Sequence, residues 1–79
     1  MQRTLGMLRA GESGVVGRVD AHDAKTRRRL MDMGLTPGTT VMIKKMAPMG
    51  DPIELSLRGY LLSIRKEDAA KISLKEAKA

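Results

Sequence analysis

Residues Ile53–Ile64 read IELSLRGYLLSI, and this stretch decides the fold. Ile53, Leu55 and Leu57 alternate with Glu54 and Ser56. After Arg58-Gly59 the pattern returns as Tyr60, Leu62 and Ile64. A two-residue connection sets Leu57 against Tyr60, Leu55 against Leu62 and Ile53 against Ile64, so all six share one face. A slip of one residue would turn every apolar side chain outward, so alternation and turn length demand the same register. The stretch is read as a β-hairpin with Tyr60 facing the interior. Arginine is not the ideal residue at the first turn position, which leaves the turn type open.

Upstream, Leu30–Val41 (LMDMGLTPGTTV) reads as helix, stop, turn and strand. Gly34 takes the position after the helix C-cap, where a left-handed backbone costs glycine nothing. Leu30 and Leu35 are then the apolar pair of a Schellman stop. Pro37 and Gly38 occupy the two central positions of a type II turn. The helix itself runs through AKTRRRLMDM, capped at its start by Asp20 or Asp23. Three consecutive arginines, Arg27 to Arg29, cannot share one face at about 3.6 residues per turn, so one at least leans toward the sheet.

The remaining segments are short. Thr4 is placed to cap a single turn that packs Leu5 and Leu8. Val15 to Val19 is β-branched and reads as a strand, with Gly17 marking a bulge. Thr39–Met46 (TTVMIKKM) alternates as another strand, Glu67 and Asp68 open a short helix, and Lys71–Ala77 (KISLKEA) closes as a last strand. About five short strands with one apolar face protect themselves best by curling. The expected fold is mainly β: a single SH3-like barrel over residues 1–79, with one inserted helix and short helical turns.

Composition narrows the function classes. The 79 residues contain no cysteine, tryptophan or phenylalanine and one tyrosine. Disulfides and thiolate chemistry are therefore excluded. The core is expected from Leu, Ile and Val, with the seven methionines filling gaps, Met49 in its loop excepted. No apolar run approaches the roughly 18–20 residues of a membrane span, and the N-terminal stretch lacks a secretory apolar region, so a cytoplasmic protein is expected. The net charge of +6 favours an acidic partner surface.

No nucleophile lies beside a base, so no catalytic residue is assigned and an enzyme is not expected. Asp20, His22 and Asp23 are weak candidate ligands for a transition metal ion, although capping explains the aspartates. A nucleic-acid reader would add stacking aromatics, which this chain lacks, so no specific nucleic acid is expected. The loop Ala47–Pro52 (APMGDP) holds two prolines and a glycine around Met49. A stiff loop loses less entropy on docking, and methionine makes an adaptable apolar contact. Pro48, Met49, Gly50, Asp51 and Pro52, with Leu35 and Pro37 as neighbours, are read as a partner-binding surface. Gly34, Gly38 and Gly59 are read as turn residues.

The motifs LMDMGLTPG, APMGDP and RGYLLSIRKEDA, in that order and behind the leader TLGMLRAGESGVVGRV, resemble the FeoA family over nearly the whole chain. The resemblance implies an SH3-like barrel with the helix 23–33 inserted. It also implies a cytoplasmic accessory of ferrous iron uptake that contacts FeoB, a membrane permease with a GTP-binding domain, and so lies close to the membrane; a monomer is expected. The fold is similar to the C-terminal domain of iron-dependent repressors. That kinship keeps a metal-responsive regulatory domain as the alternative, with a basic nucleic-acid-binding barrel behind it.

Overall fold

In the computed structural model, which describes residues 3–75, the hairpin forms in the register that alternation demands. Strands β1 (Ser13–Val19), β2 (Thr40–Met46), β3 (Ile53–Leu57), β4 (Tyr60–Ile64) and β5 (Ile72–Leu74) are joined by helices α1 (Ala24–Asp32) and α2 (Lys66–Ala69). Leu57 pairs with Tyr60, Leu55 with Leu62 and Ile53 with Ile64. Arg58 (φ 48°) and Gly59 (φ 84°) both take positive φ, which makes the turn a primed type I. All strand pairs are antiparallel, in the order β4-β3-β2-β1-β5. With the short α2 leading into the last strand, this is the expected SH3-like barrel. Glu76 and Ala77 of the expected last strand lie outside the described residues.

The helix stop is a complete Schellman motif. Leu35 N–H donates to Leu30 C=O at 3.2 Å and Gly34 N–H to Met31 C=O at 3.0 Å, with Gly34 at φ 103°. Thr39 N–H then closes the Pro37-Gly38 turn on Thr36 C=O at 3.1 Å, and Gly38 stands at φ 92°. At the other end Asp23 is the cap, its carboxylate accepting from Thr26 N–H at 2.5 Å. Asp20 does not cap. The bulge falls where Gly17 sits, between the Val16–Leu74 and Arg18–Ser73 pairs, and a Cβ there would press on the backbone of Ser73–Lys75.

Four expectations need correction. Thr4 begins the Leu5–Met7 turn, and Leu5 and Leu8 are buried as expected, but its side chain makes no capping bond. The first strand starts two residues earlier than the β-branched run, because Glu12, Ser13 and Gly14 continue the ladder with β2. Tyr60 keeps its register yet is 43% exposed. It starts an edge strand, so nothing covers its ring on the far side, and its hydroxyl donates to Met33 C=O beyond the sheet. The methionines are not the core either. Among the described residues the sixteen buried apolar ones are Leu, Ile, Val and Ala alone, and of the described methionines only Met33 and Met46 pack against them from the margin. Compact branched side chains fill so small an interior, and the longer thioethers are left outside.

Arg29 is the arginine that leans inward. Its guanidinium meets the buried Asp68 carboxylate at 3.2 Å, and Lys71 reaches the same carboxylate at 3.7 Å. This pins α1 to α2, two elements that lie far apart in sequence.

Candidate docking surface

The loop Ala47–Pro52 leaves β2 and turns back into β3. Gly50 N–H donates to Ala47 C=O at 2.7 Å and Ala47 N–H to Pro52 C=O at 3.1 Å, so the base of the loop is hydrogen-bonded to itself. Met49 at the tip is 89% exposed, with Pro48 and Pro52 exposed on either side. Asp51 has a task that the sequence reading missed: its carboxylate accepts Lys66 N–H at 2.9 Å, at the first turn of α2. A loop carboxylate thus satisfies a free helix donor that the helix's own cap residue, Arg65, leaves unmet. Only the pairing in space reveals this, because the two residues sit on different elements. Beside the loop, Lys45, Met46, Pro48, Pro52, Glu54 and Ser63 line a shallow groove of about 300 Å³.

The second part of the expected surface is elsewhere. Gly34–Gly38 packs against the turn of the hairpin, where Arg58 Nη2 donates to Thr39 Oγ1 at 3.1 Å. The loop Ala47–Pro52 adjoins the opposite end of β3, so the two are not neighbours. Four strand steps separate them, roughly 13 Å. Leu35 is fully buried and supports this corner from beneath; it cannot touch a partner. Pro37 is exposed, and Gly38 and Gly59 stand at open turns, while Gly34 is closed in by Tyr60 and Leu57.

Between the two ends runs the outer face of the sheet. Met42 pairs with Ser56 and Ser56 with Leu61, so the three form one outward row. Leu61 is 59% exposed. The signal for it was present, since Leu61 puts a large apolar side chain at an outward position of an otherwise alternating strand. Net charge, loop tip and this row together make a surface suited to contact, with no catalytic pair on it.

The metal candidates are spent on other work. Asp20 accepts Ser73 Oγ–H and the Arg18 guanidinium at 2.6 Å; Asp23 caps α1; His22 is exposed. Among the described residues no group of three such side chains is placed to hold an ion, so the donors do not fit a resident metal. The Ser73 hydroxyl, ahead of Arg18, holds the Asp20 carboxyl below its ordinary value against the opposing effect of desolvation, and the Thr26 side chain and N–H do the same for Asp23. A depressed folded value stabilises above the unfolded carboxylate pKa of about 3.9 and is lost as pH falls through the folded value. Urea midpoints of the wild type should therefore drop below about pH 4, and Ser73→Ala should shrink that acid-dependent drop. Identical acid limbs in both proteins would remove Ser73 from the account.

A model of the FeoA domain family matches residues 3–76. The chain belongs to that family. A fusion protein of Fe(2+) transport protein A and the Fe(2+) transporter FeoB, from Porphyromonas gingivalis, is 36% identical over 70 residues. That match covers 89% of this chain but spans only 8% of the fusion protein's length. The FeoA-like protein of Clostridium acetobutylicum superposes with a TM-score of 0.84 at 40% identity, covering 94% of this chain and 85% of the other. The FeoA of Stenotrophomonas maltophilia, described as complexed with zinc and as a prokaryotic SH3 domain protein, gives 0.80 at 25% identity over 92% and 89%. The fold alone is also shared with a manganese-dependent transcriptional repressor, at 18% identity and a TM-score of 0.84, covering 94% of this chain and 40% of that one. The resemblance read from the motifs holds, and what the chain shares with the metal-dependent repressor is the fold.

Proposed function

We propose that this protein is a small cytoplasmic accessory of ferrous iron uptake that acts by direct contact with FeoB, at the GTP-binding domain of that permease. The observation that carries the reading is the Porphyromonas gingivalis relative, in which the matching domain and FeoB share one chain. Fusing two modules raises their effective concentration for one another, which serves partners that work in contact. No helix among the described residues is long and apolar enough to cross a membrane, in keeping with action from one side of the permease. A net charge of +6 suits an acidic partner face beside an anionic leaflet.

The contacting residues are Pro48, Met49, Asp51 and Pro52 at one end, Pro37 at the other, and Met42 and Leu61 between them. We assign the protein no resident cofactor and no chemistry of its own. The test is an amide NMR titration of the labelled protein with the isolated GTP-binding domain of its FeoB, with and without nucleotide. Shifts should concentrate at residues 47–52, 37–38 and 61, and Met49→Ala with Leu61→Ser should weaken them. Unshifted spectra at high concentration would overturn contact with that domain.

A further inference from the structure

The strand order leaves two edges, β4 and β5, and the chain treats them differently. β5 is only three residues long, and its outer side is already taken. Leu74 N–H donates to Arg3 C=O at 2.8 Å, and Thr4 bridges Ser73. β4 has no such cover. In a two-residue hairpin the closing pair, here Leu57 and Tyr60, exchanges both main-chain bonds, and every second pair after it does the same. Leu61 and Ser63 belong to the intervening pairs, so the N–H and C=O of each point off the sheet. Among the described residues no segment other than β3 pairs with either, and both are exposed.

Proteins ordinarily guard a bare edge with a charged side chain, a proline, a bulge or a covering loop. β4 reads YLLSI, with no charge and no proline. It pairs with β3 without the register shifts that interrupt the β1–β5 and β2–β3 ladders. Leu61, 59% exposed, adds apolar surface to the same strand. There is also space beside it: Ser63 and Arg65, with Arg29 and Met33 of α1, line a groove of about 420 Å³.

We propose that the β4 edge takes up an extended segment of an acidic partner as a further strand of the sheet. The off-sheet donors and acceptors of Leu61 and Ser63 match an extended main chain. The outward row Met42–Ser56–Leu61 matches an apolar side chain beside Leu61. Arg58 and Arg65 bracket β4 in a chain of net charge +6, which matches acidic residues at the ends of the segment. A second copy of this chain could offer the same edge, but it would bring like charge to both ends. The inference deepens the docking reading and rests on it for the identity of the partner. A generic peptide allows either to fail alone.

The experiment adds the blocked peptide acetyl-EVTVTE-amide to the labelled full chain and follows amide hydrogen exchange. A parallel arm uses the GTP-binding domain of FeoB. Exchange should slow most at Leu61 and Ser63, whose amides are open in the free protein. The same peptide with its valines N-methylated keeps side chains and charge but loses main-chain donors, and it should bind about tenfold more weakly or worse. Ser63→Pro makes the matching change on this side. The N–H it removes points off the sheet, so the chain should stay folded while peptide binding falls by about tenfold or more. Leu62→Pro, which removes a bond to Leu55, should unfold it. If Ser63→Pro also unfolds, the assignment of that N–H to the free edge is wrong and the proposal falls. Equal affinity for the two peptides would overturn it, and so would protection that spares Leu61 and Ser63. Absence of protection by either ligand at millimolar concentration would do the same. Protection by the peptide but not by the FeoB domain would count against that partner and leave the edge standing.

Discussion

Gly34→Ala should lower the melting temperature by roughly 10–20 °C. Gly34 stands at φ 103°, outside the regions an L side chain adopts, and holding alanine there costs on the order of 1–3 kcal/mol. Its Cβ would also collide with the Tyr60 hydroxyl and come within 3.2 Å of Leu57 Cδ1. The tyrosine would have to leave Met33 C=O, at a further cost of about 1 kcal/mol. Gly38 supplies the control, because it shares the positive φ (92°) but a Cβ there meets nothing within 4 Å. Thermal unfolding followed by circular dichroism should therefore rank Gly34→Ala well below Gly38→Ala. Equal losses would mean that the Tyr60 contact contributes nothing.

The second large effect separates the core from the docking surface. Leu35→Ala should cost about 2–5 kcal/mol, the range for truncating a buried leucine. Domains of this kind have total stabilities of about 5–15 kcal/mol, so a sizeable unfolded fraction is expected. Leu35 is fully buried and lies against the helix stop, with Leu30 equally buried as its Schellman partner. Leu61→Ala removes as many atoms from an exposed position and should change stability by no more than about 0.5 kcal/mol. Urea denaturation gives both numbers. The FeoB titration should show the reverse order once the folded fraction is accounted for, with Leu61 mattering and Leu35 not. A cost below about 1 kcal/mol for Leu35→Ala would contradict its placement in the core.

Much of this fold was legible because local signals agreed with one another. Period-two alternation and a two-residue turn gave one register for the hairpin, and Gly34, Pro37 and Gly38 each carry a backbone signal of the helix stop and turn, with Leu35 as the apolar partner. The failures are all matters of what stands opposite. The inward register of Tyr60 could be read from its own strand, but its exposure depends on β4 being an edge. Methionine in the sequence says nothing about whether leucine and isoleucine already fill the interior. Asp51 and Lys66, or Arg58 and Thr39, meet only after the strands have been laid side by side. The candidate surface was legible as a loop, and its extent was not, because adjacency across the sheet decides which exposed residues belong together.

The strand order also sets a sequence of events in time. β2, β3 and β4 are consecutive neighbours, and the turn between β3 and β4 is two residues long, so this ribbon can assemble from nearby contacts. β5 instead pairs with β1, joining Leu74 to Val16, while Thr4 bridges Ser73. That closure must bring the two ends of the chain together, and its entropy has to be met before any of its contacts form. During synthesis the seam stays open until β5 emerges. Until then the free edge of β1 is available to any other strand, and pairing with β5 is what closes it.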